Sequence, residues 1–354
     1  MGRASEDVLR IARRSGAGIR GRTLACALGV VSAAAGAQPG ALPPAVSDRG
    51  NGAVTYLLLS GILGGVAGFR RLEAQLLEAG HRVVIIDPYA LSFDSVDVTF
   101  SALARRVDRV LALRGVDTAR VVGHAHGAGV ALRLAANAPQ RVTLLFFLDV
   151  GALPVNRTKV FSGALRLVPL ITRMPGGRRF VRGRLLRGIR GNSGKTEWLD
   201  AETQQAYTEP LLDRIGRVVA MARRLSDARE PEPLDSVVAR VRVPVTLLLG
   251  EVPHASGPDS SEIAALEPLG ALRTVVRLPG VGHFPHEEAP SEVARLLLTP
   301  YGRPGTHPLP QPRGLHGESH VPATSLAPSP RAPLRGGARS RRTALRRRAG
   351  LASR

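Results

Sequence analysis

Between positions 54 and 149, short unbroken apolar runs alternate with stretches whose apolar residues are spaced at helical intervals. Residues 54–59, 81–87 (HRVVIID), 119–122 and 142–149 (VTLLFFLD) are runs of strand length. Between them, residues 69–79 space Leu72, Leu76 and Leu77 along one helical face, and residues 100–113 do the same with Leu103, Val107, Val110 and Leu111. A third helix is predicted over 128–137, after a Gly-rich turn. Strands apolar on both faces, alternating with helices, predict a parallel sheet covered on both sides and joined by right-handed crossovers.

Residues 151–235 break this rhythm. The stretch is Arg-rich and helical in pattern, holds the single tryptophan, Trp198, and reads as an insertion between two strands. Alternation resumes with a strand at 245–250 (VTLLLG), introduced by Pro244, then a helix around 262–267, a strand at 274–278 and a helix at 291–298. The predicted organisation is a leader and linker over 1–51, a folded domain over 52–300 with an inserted cap at about 151–235, and an aperiodic Pro- and Arg-rich tail over 301–354.

One motif carries chemistry. Gly123-His124-Ala125-His126-Gly127 ends a predicted strand and opens a predicted helix, the place of a G-x-S-x-G nucleophile elbow. Such a turn forces its central residue to positive φ and needs glycine two residues to either side, where Cβ atoms would clash. Here the centre is Ala125, which has no atom able to attack a carbonyl.

With these residues in place, the chain resembles the α/β-hydrolase superfamily, of the esterase, lipase and haloperoxidase-like type, over roughly residues 52–300. Leu57-Leu58-Leu59-Ser60-Gly61 is similar to the family's early strand and oxyanion turn, with Ser60 where the family has histidine. Gly282-His283-Phe284-Pro285-His286-Glu287-Glu288-Ala289-Pro290 resembles the segment of the catalytic histidine. The resemblance implies an α/β fold: a mostly parallel sheet flanked by helices, with a helical cap. It also implies His283 as general base and the backbone N–H groups of Ile62 and His126 as the oxyanion hole. The family's usual acid follows the strand that here runs into Gly250-Glu251-Val252-Pro253, so Pro253 occupies its position and Glu251 sits two residues early. Some branches place the acid after the preceding strand, which makes Asp149 the alternative. An acid there can equally serve only to bond local backbone.

Loss of both nucleophile and usual acid fits natural degeneration, and removing such a serine typically costs about a million-fold in turnover. The expectation is therefore a pseudoenzyme: a degenerate serine-hydrolase pocket that binds a small apolar acyl- or ester-like ligand without forming an acyl-enzyme. One alternative is an active hydrolase, or a lyase- or oxygenase-type enzyme, using His283 with Asp149 as general base. A second is a protein that binds a membrane or partner through basic surfaces.

Charge bears on that last alternative. The 354 residues carry a net charge of +21, and Lys159 and Lys195 are the only lysines. The tail after Tyr301 holds eleven arginines against one acid, Glu318. The cap adds the basic run Arg178, Arg179, Arg182, Arg184, Arg187 and Arg190. These could meet an anionic membrane surface. Nothing aromatic is interleaved with the tail arginines, so nucleic acid is not an expected partner.

The single cysteine, Cys26, excludes an intrachain disulfide and reads as an inert thiol. Residues 24–37 form a mild apolar run behind Arg10, Arg13, Arg14, Arg20 and Arg22 and end Ala35-Gly36-Ala37, a signal-peptide pattern. A cytoplasmic location is expected, with secretion or membrane association as the alternative. His124 and His126 flank the apex of a tight turn and should point apart, so no metal is expected. No cofactor is expected either. Gly191-Asn192-Ser193-Gly194-Lys195-Thr196 looks like the end of a phosphate-binding loop, but Ile189 stands where the pattern needs glycine and no strand precedes it.

Overall fold

The apolar runs assemble into one seven-stranded sheet. In the computed structural model, which describes residues 45–150 and 166–299, the strands are β1 (Val46–Arg49), β2 (Thr55–Leu59), β3 (Arg82–Ile86), β4 (Ala119–His124), β5 (Val142–Leu148), β6 (Val245–Gly250) and β7 (Arg273–Leu278). Their order across the sheet is β1-β3-β2-β4-β5-β6-β7. Every pairing is parallel except β1 with β3. The chain belongs to the α/β class that the alternation predicts.

The inner strands β2, β3, β5 and β6 are largely apolar and buried because helices cover both faces. Leu57 and Leu59 of β2 point into one core and Tyr56 and Leu58 into the other. The helices are α1 (Arg70–Glu78), α2 (Phe100–Leu113), α3 (His126–Asn137), and, after β6, α9 (Ser260–Ala264), α10 (Pro285–Glu288) and α11 (Pro290–Leu298). α2 and α3 pack on the first core with Leu103, Val107, Val130 and Leu134. α1 and α11 pack on the second with Leu72, Leu76, Val293 and Leu297.

β1 corrects the sequence reading. Its residues, VSDR, lie inside the stretch assigned to the linker, yet they pair antiparallel along β3 from Val46↔Ile86 to Arg49↔Val83. The strand is short, polar and only half-buried, so its sequence lacks the apolar signal. Arg82 fixes it from the next strand, donating from Nε and Nη2 to the two Asp48 carboxylate oxygens at 3.0 and 2.9 Å.

Between β5 and β6 the described residues form α4 (Val168–Ile171), α5 (Gly177–Gly191), α6 (Ala201–Asp213), α7 (Ile215–Asp227) and α8 (Leu234–Val238). Asp200 caps α6 by accepting the Thr203 N–H at 2.8 Å. Glu230, just before α8, ties this insertion to the sheet domain. It accepts the N–H of Phe100 at 2.6 Å at the start of α2, and the Nε–H of the fully buried Arg133 at 2.9 Å. The basic run lies on α5. Arg178 pairs with Glu209 and Asp213 of α6 at 2.7 and 2.9 Å, while Arg179, Arg184, Arg187 and Arg190 are exposed. The leader, Cys26 and the Arg-rich tail lie outside the described residues. No helix among the described residues is long and apolar enough to cross a membrane.

Candidate active site

β4 ends at His124 and α3 begins at His126, so Ala125 alone makes the turn. Its φ of 50° and ψ of −129° lie in a region that favours glycine. The flanking glycines are required: a Cβ on Gly123 would come within 2.5 Å of Ala128 Cα, and one on Gly127 within 2.2 Å of the Leu59 carbonyl oxygen. The elbow is thus intact in shape, with a methyl group at its apex. His126 is the first residue of α3, so its N–H has no intrahelical acceptor. Ile62 follows β2 on the neighbouring turn, beside the elbow: a Cβ on the adjacent Gly61 would lie 2.8 Å from the Ala125 Cβ.

Among the described residues, Ala125 and Asp149 are the only non-glycine residues with positive φ, at 50° and 52°. Asp149 follows β5 and is fully buried. Its Oδ1 accepts the Gly250 N–H at 2.8 Å, and its Oδ2 lies 3.0 Å from His283 Nδ1. The carboxylate that local sequence left as an alternative therefore sits on the histidine. Burial works to raise the Asp149 pKa, but hydrogen bonds from His254, His283 and Gly250 outweigh it and hold it below the usual range.

The histidine loop is clamped to the elbow. His124 Nε2 lies 2.8 Å from the His283 carbonyl oxygen, so the residue before the apex holds the backbone of the candidate base. The His283 N–H donates to the Asn192 carbonyl at 2.7 Å. Glu288 Oε2 accepts the N–H groups of Gly194, Lys195 and Gly282 at 2.8, 2.9 and 3.0 Å, and its Oε1 accepts that of Phe284 at 3.1 Å. This explains the phosphate-loop-like GNSGKT segment: its amides hold a glutamate of the base loop.

The two elbow histidines part as expected. His126 packs against Tyr89 and Phe100, with ring centroids 6.3 and 6.1 Å away. His124 turns the other way, 4.4 Å from the ring of His286. Burial, reinforced by the other histidines, pushes His126 down to about 4, His286 to about 3, and His124 well below its ordinary value. Next to His286, burial pushes the Glu287 carboxyl up to about 7, against the Tyr207 hydroxyl at 3.0 Å and Arg71 at 3.1 Å.

His254 is the residue that sequence reasoning missed. It stands one position past Pro253, where the family's acid was expected, and its Nε2 lies 2.7 Å from Asp149 Oδ2. A histidine beside the vacant acid position was the available signal. Asp149, His254 and His283 bring their nitrogen and oxygen atoms within 4.8 Å of one another, a spacing that could hold an ion. At 2.7 and 3.0 Å, however, both contacts are hydrogen-bond lengths, and a proton satisfies each.

A small open cleft lies between the Gly64–Gly65 turn and helices α6 and α7. Ile62, Val66, Tyr89, Phe93, Leu211 and Val218 give it apolar walls, and Asp87 and Arg214 supply charge. It reaches Ile62, but Ala125 and His283 are not among its lining residues.

This arrangement of sheet, elbow and histidine loop coincides with a family-wide match: the profile of the alpha/beta hydrolase family covers residues 56–296. The chain belongs to the alpha/beta hydrolase family. Among relatives of this hydrolase, the putative carbamate hydrolase RutD of Azorhizobium caulinodans is 32% identical over 224 residues, which is 58% of this chain and 82% of that protein. The sn-1-specific diacylglycerol lipase ABHD11 of Mus musculus is 24% identical over 247 residues, 67% of this chain and 77% of that one. Solved structures share the fold. A bacterial membrane phospholipase A matches with a TM-score of 0.56 at 23% identity, covering 71% of this chain and 80% of its own. An esterase from Thermogutta terrifontis matches at 0.54 and 20%, covering 72% and 90%.

Proposed function

We propose that this hydrolase cleaves a small carbonyl substrate of the carbamate or ester type by direct attack of water, with His283 as general base and no acyl-enzyme. The carrying observation is the buried Asp149 carboxylate, 3.0 Å from His283 Nδ1, behind an elbow whose apex is a methyl group. A carboxylate on Nδ1 fixes the tautomer that leaves Nε2 as acceptor. Water then loses a proton to His283 Nε2 as its oxygen bonds to the carbonyl carbon. The negative charge moves to the carbonyl oxygen, where the N–H groups of Ile62 and His126 would receive it. Collapse breaks the bond to the leaving group, which takes the proton back from His283. The kinship with a putative carbamate hydrolase supports the substrate class.

The test is hydrolysis of p-nitrophenyl acetate and of an aryl carbamate. The wild type should turn one of them over, and His283→Ala should lose about 10²–10⁴-fold. If turnover does not exceed buffer, the proposal fails and the pocket is a binding site alone. If His283→Ala leaves turnover unchanged, the base is misassigned.

A further inference from the structure

The mechanism above leaves His254 unused, although its ring contacts the same carboxylate oxygen as His283 and lies closer to it. The His254 Nε2 is 2.7 Å from Asp149 Oδ2, and its Nδ1 is 2.7 Å from the Val252 carbonyl oxygen. The carbonyl can only accept, so Nδ1 carries a proton. A lone pair on Nε2 facing a carboxylate at that distance would be repelled, so Nε2 needs a proton as well. A histidine that donates from both nitrogens is an imidazolium.

The proton could instead reside on Asp149 Oδ2 and point at His254. The surroundings argue against this, because the Asp149 carboxylate already accepts from Gly250 at 2.8 Å and from His283 at 3.0 Å, both of which favour its charged form. The hydrogen bond to Asp149 likewise raises the His254 pKa, against burial. The charged groups facing His254 are Asp149, His283 and Glu288. Glu288 is committed to four backbone N–H groups, so Asp149 is the anion with which His254 pairs. The His254 side chain is 4% exposed, so water screens this pair little.

We infer that His254 is a positioning residue, a fixed imidazolium that shares the charge of Asp149 with His283 and thereby keeps His283 neutral and ready to accept a proton. In a simple Asp–His pair the carboxylate draws a proton onto the histidine. Here a second cation, with its ring centroid 5.5 Å from that of His283, offsets the pull. Asp149 still orients His283 through Nδ1. The inference rests on His283 being the base of the site, yet the charge states can be read without substrate.

The experiment is a long-range ¹H–¹⁵N spectrum of the full chain, labelled at histidine, from pH 5.5 to 8. His254 should carry protons on both nitrogens at pH 7, and His283 on Nδ1 alone. In His254→Gln, the His283 ring should take up its proton about one pH unit higher. His254→Lys, which restores a cation, should move it back, and the acid limb of p-nitrophenyl acetate hydrolysis should follow both shifts. A His254 ring with a single proton at pH 7 would overturn the assignment. So would His254 signals that change on adding EDTA, or a His283 midpoint indifferent to His254→Gln. If the Gln variant does not fold, the wild-type His254 nitrogens decide alone. A wild type without turnover but with His254 doubly protonated would count against the proposed function and leave this assignment standing.

Discussion

At the scale of single residues, the site is built on backbone strain. Ala125 keeps a side chain at φ 50°, ψ −129°, where a Cβ costs roughly 1–3 kcal/mol. Glycine would relieve that strain and give back about 0.5–1 kcal/mol through the greater entropy of its unfolded chain. Ala125→Gly should therefore raise stability by about 1 kcal/mol, measured by urea unfolding. A loss of stability would mean that the methyl group fills a contact worth more than the strain. The elbow was legible in the sequence because its signal is local: two glycines and a strand-to-helix switch within five residues. Asp149 was legible only as an alternative, since its contact with His283 spans 134 positions. His254 escaped because its meaning depends on where Asp149 points.

At the scale of elements, the histidine loop is held by partners from the helical insertion as well as from β4. Four N–H groups converge on the Glu288 carboxylate, three of them on one oxygen. Removing it by Glu288→Ala strands these donors. Two belong to exposed residues that water can reach, so the loss should be about 2 kcal/mol rather than the full desolvation cost of all four. Urea unfolding measures it, and a change under about 0.5 kcal/mol would show that the loop is held by the Asn192 and His124 contacts instead. The strands and α2 followed the periodicity closely, with α2 falling at Phe100–Leu113 as predicted. β1 did not, because a four-residue polar edge strand is defined by its pairing with β3 rather than by its own pattern.

At the scale of the whole molecule, the buried titratable groups set the response to acid. His124, His126 and His286 are neutral when folded, with pKa values depressed well below 6.5, to about 4 and about 3 for the latter two. In the unfolded chain they bind protons below pH ~6.5, so the stability they contribute is present above that pH and is lost as pH falls toward 4. Glu287 has the opposite sign. With its folded pKa raised to about 7, it loses stability as pH rises from about 4.5 to 7. The three depressed histidines outnumber the raised carboxyls of Glu287 and Asp87, so unfolding takes up protons on balance near pH 5 to 6. The unfolding free energy should therefore fall steeply on acidification from pH 6.5 to 4.5, and Glu287→Gln should steepen the fall further. A flat profile across that window would contradict the neutral histidine cluster.

The account turns on water, rather than a protein atom, attacking the carbonyl. The most direct measurement is the intact mass of the protein, acid-quenched during steady-state hydrolysis of p-nitrophenyl acetate. The account predicts unmodified wild-type protein while product accumulates, and an acetyl adduct once Ala125→Ser restores the hydroxyl. An acetylated wild-type enzyme that forms and decays at the rate of turnover would contradict it.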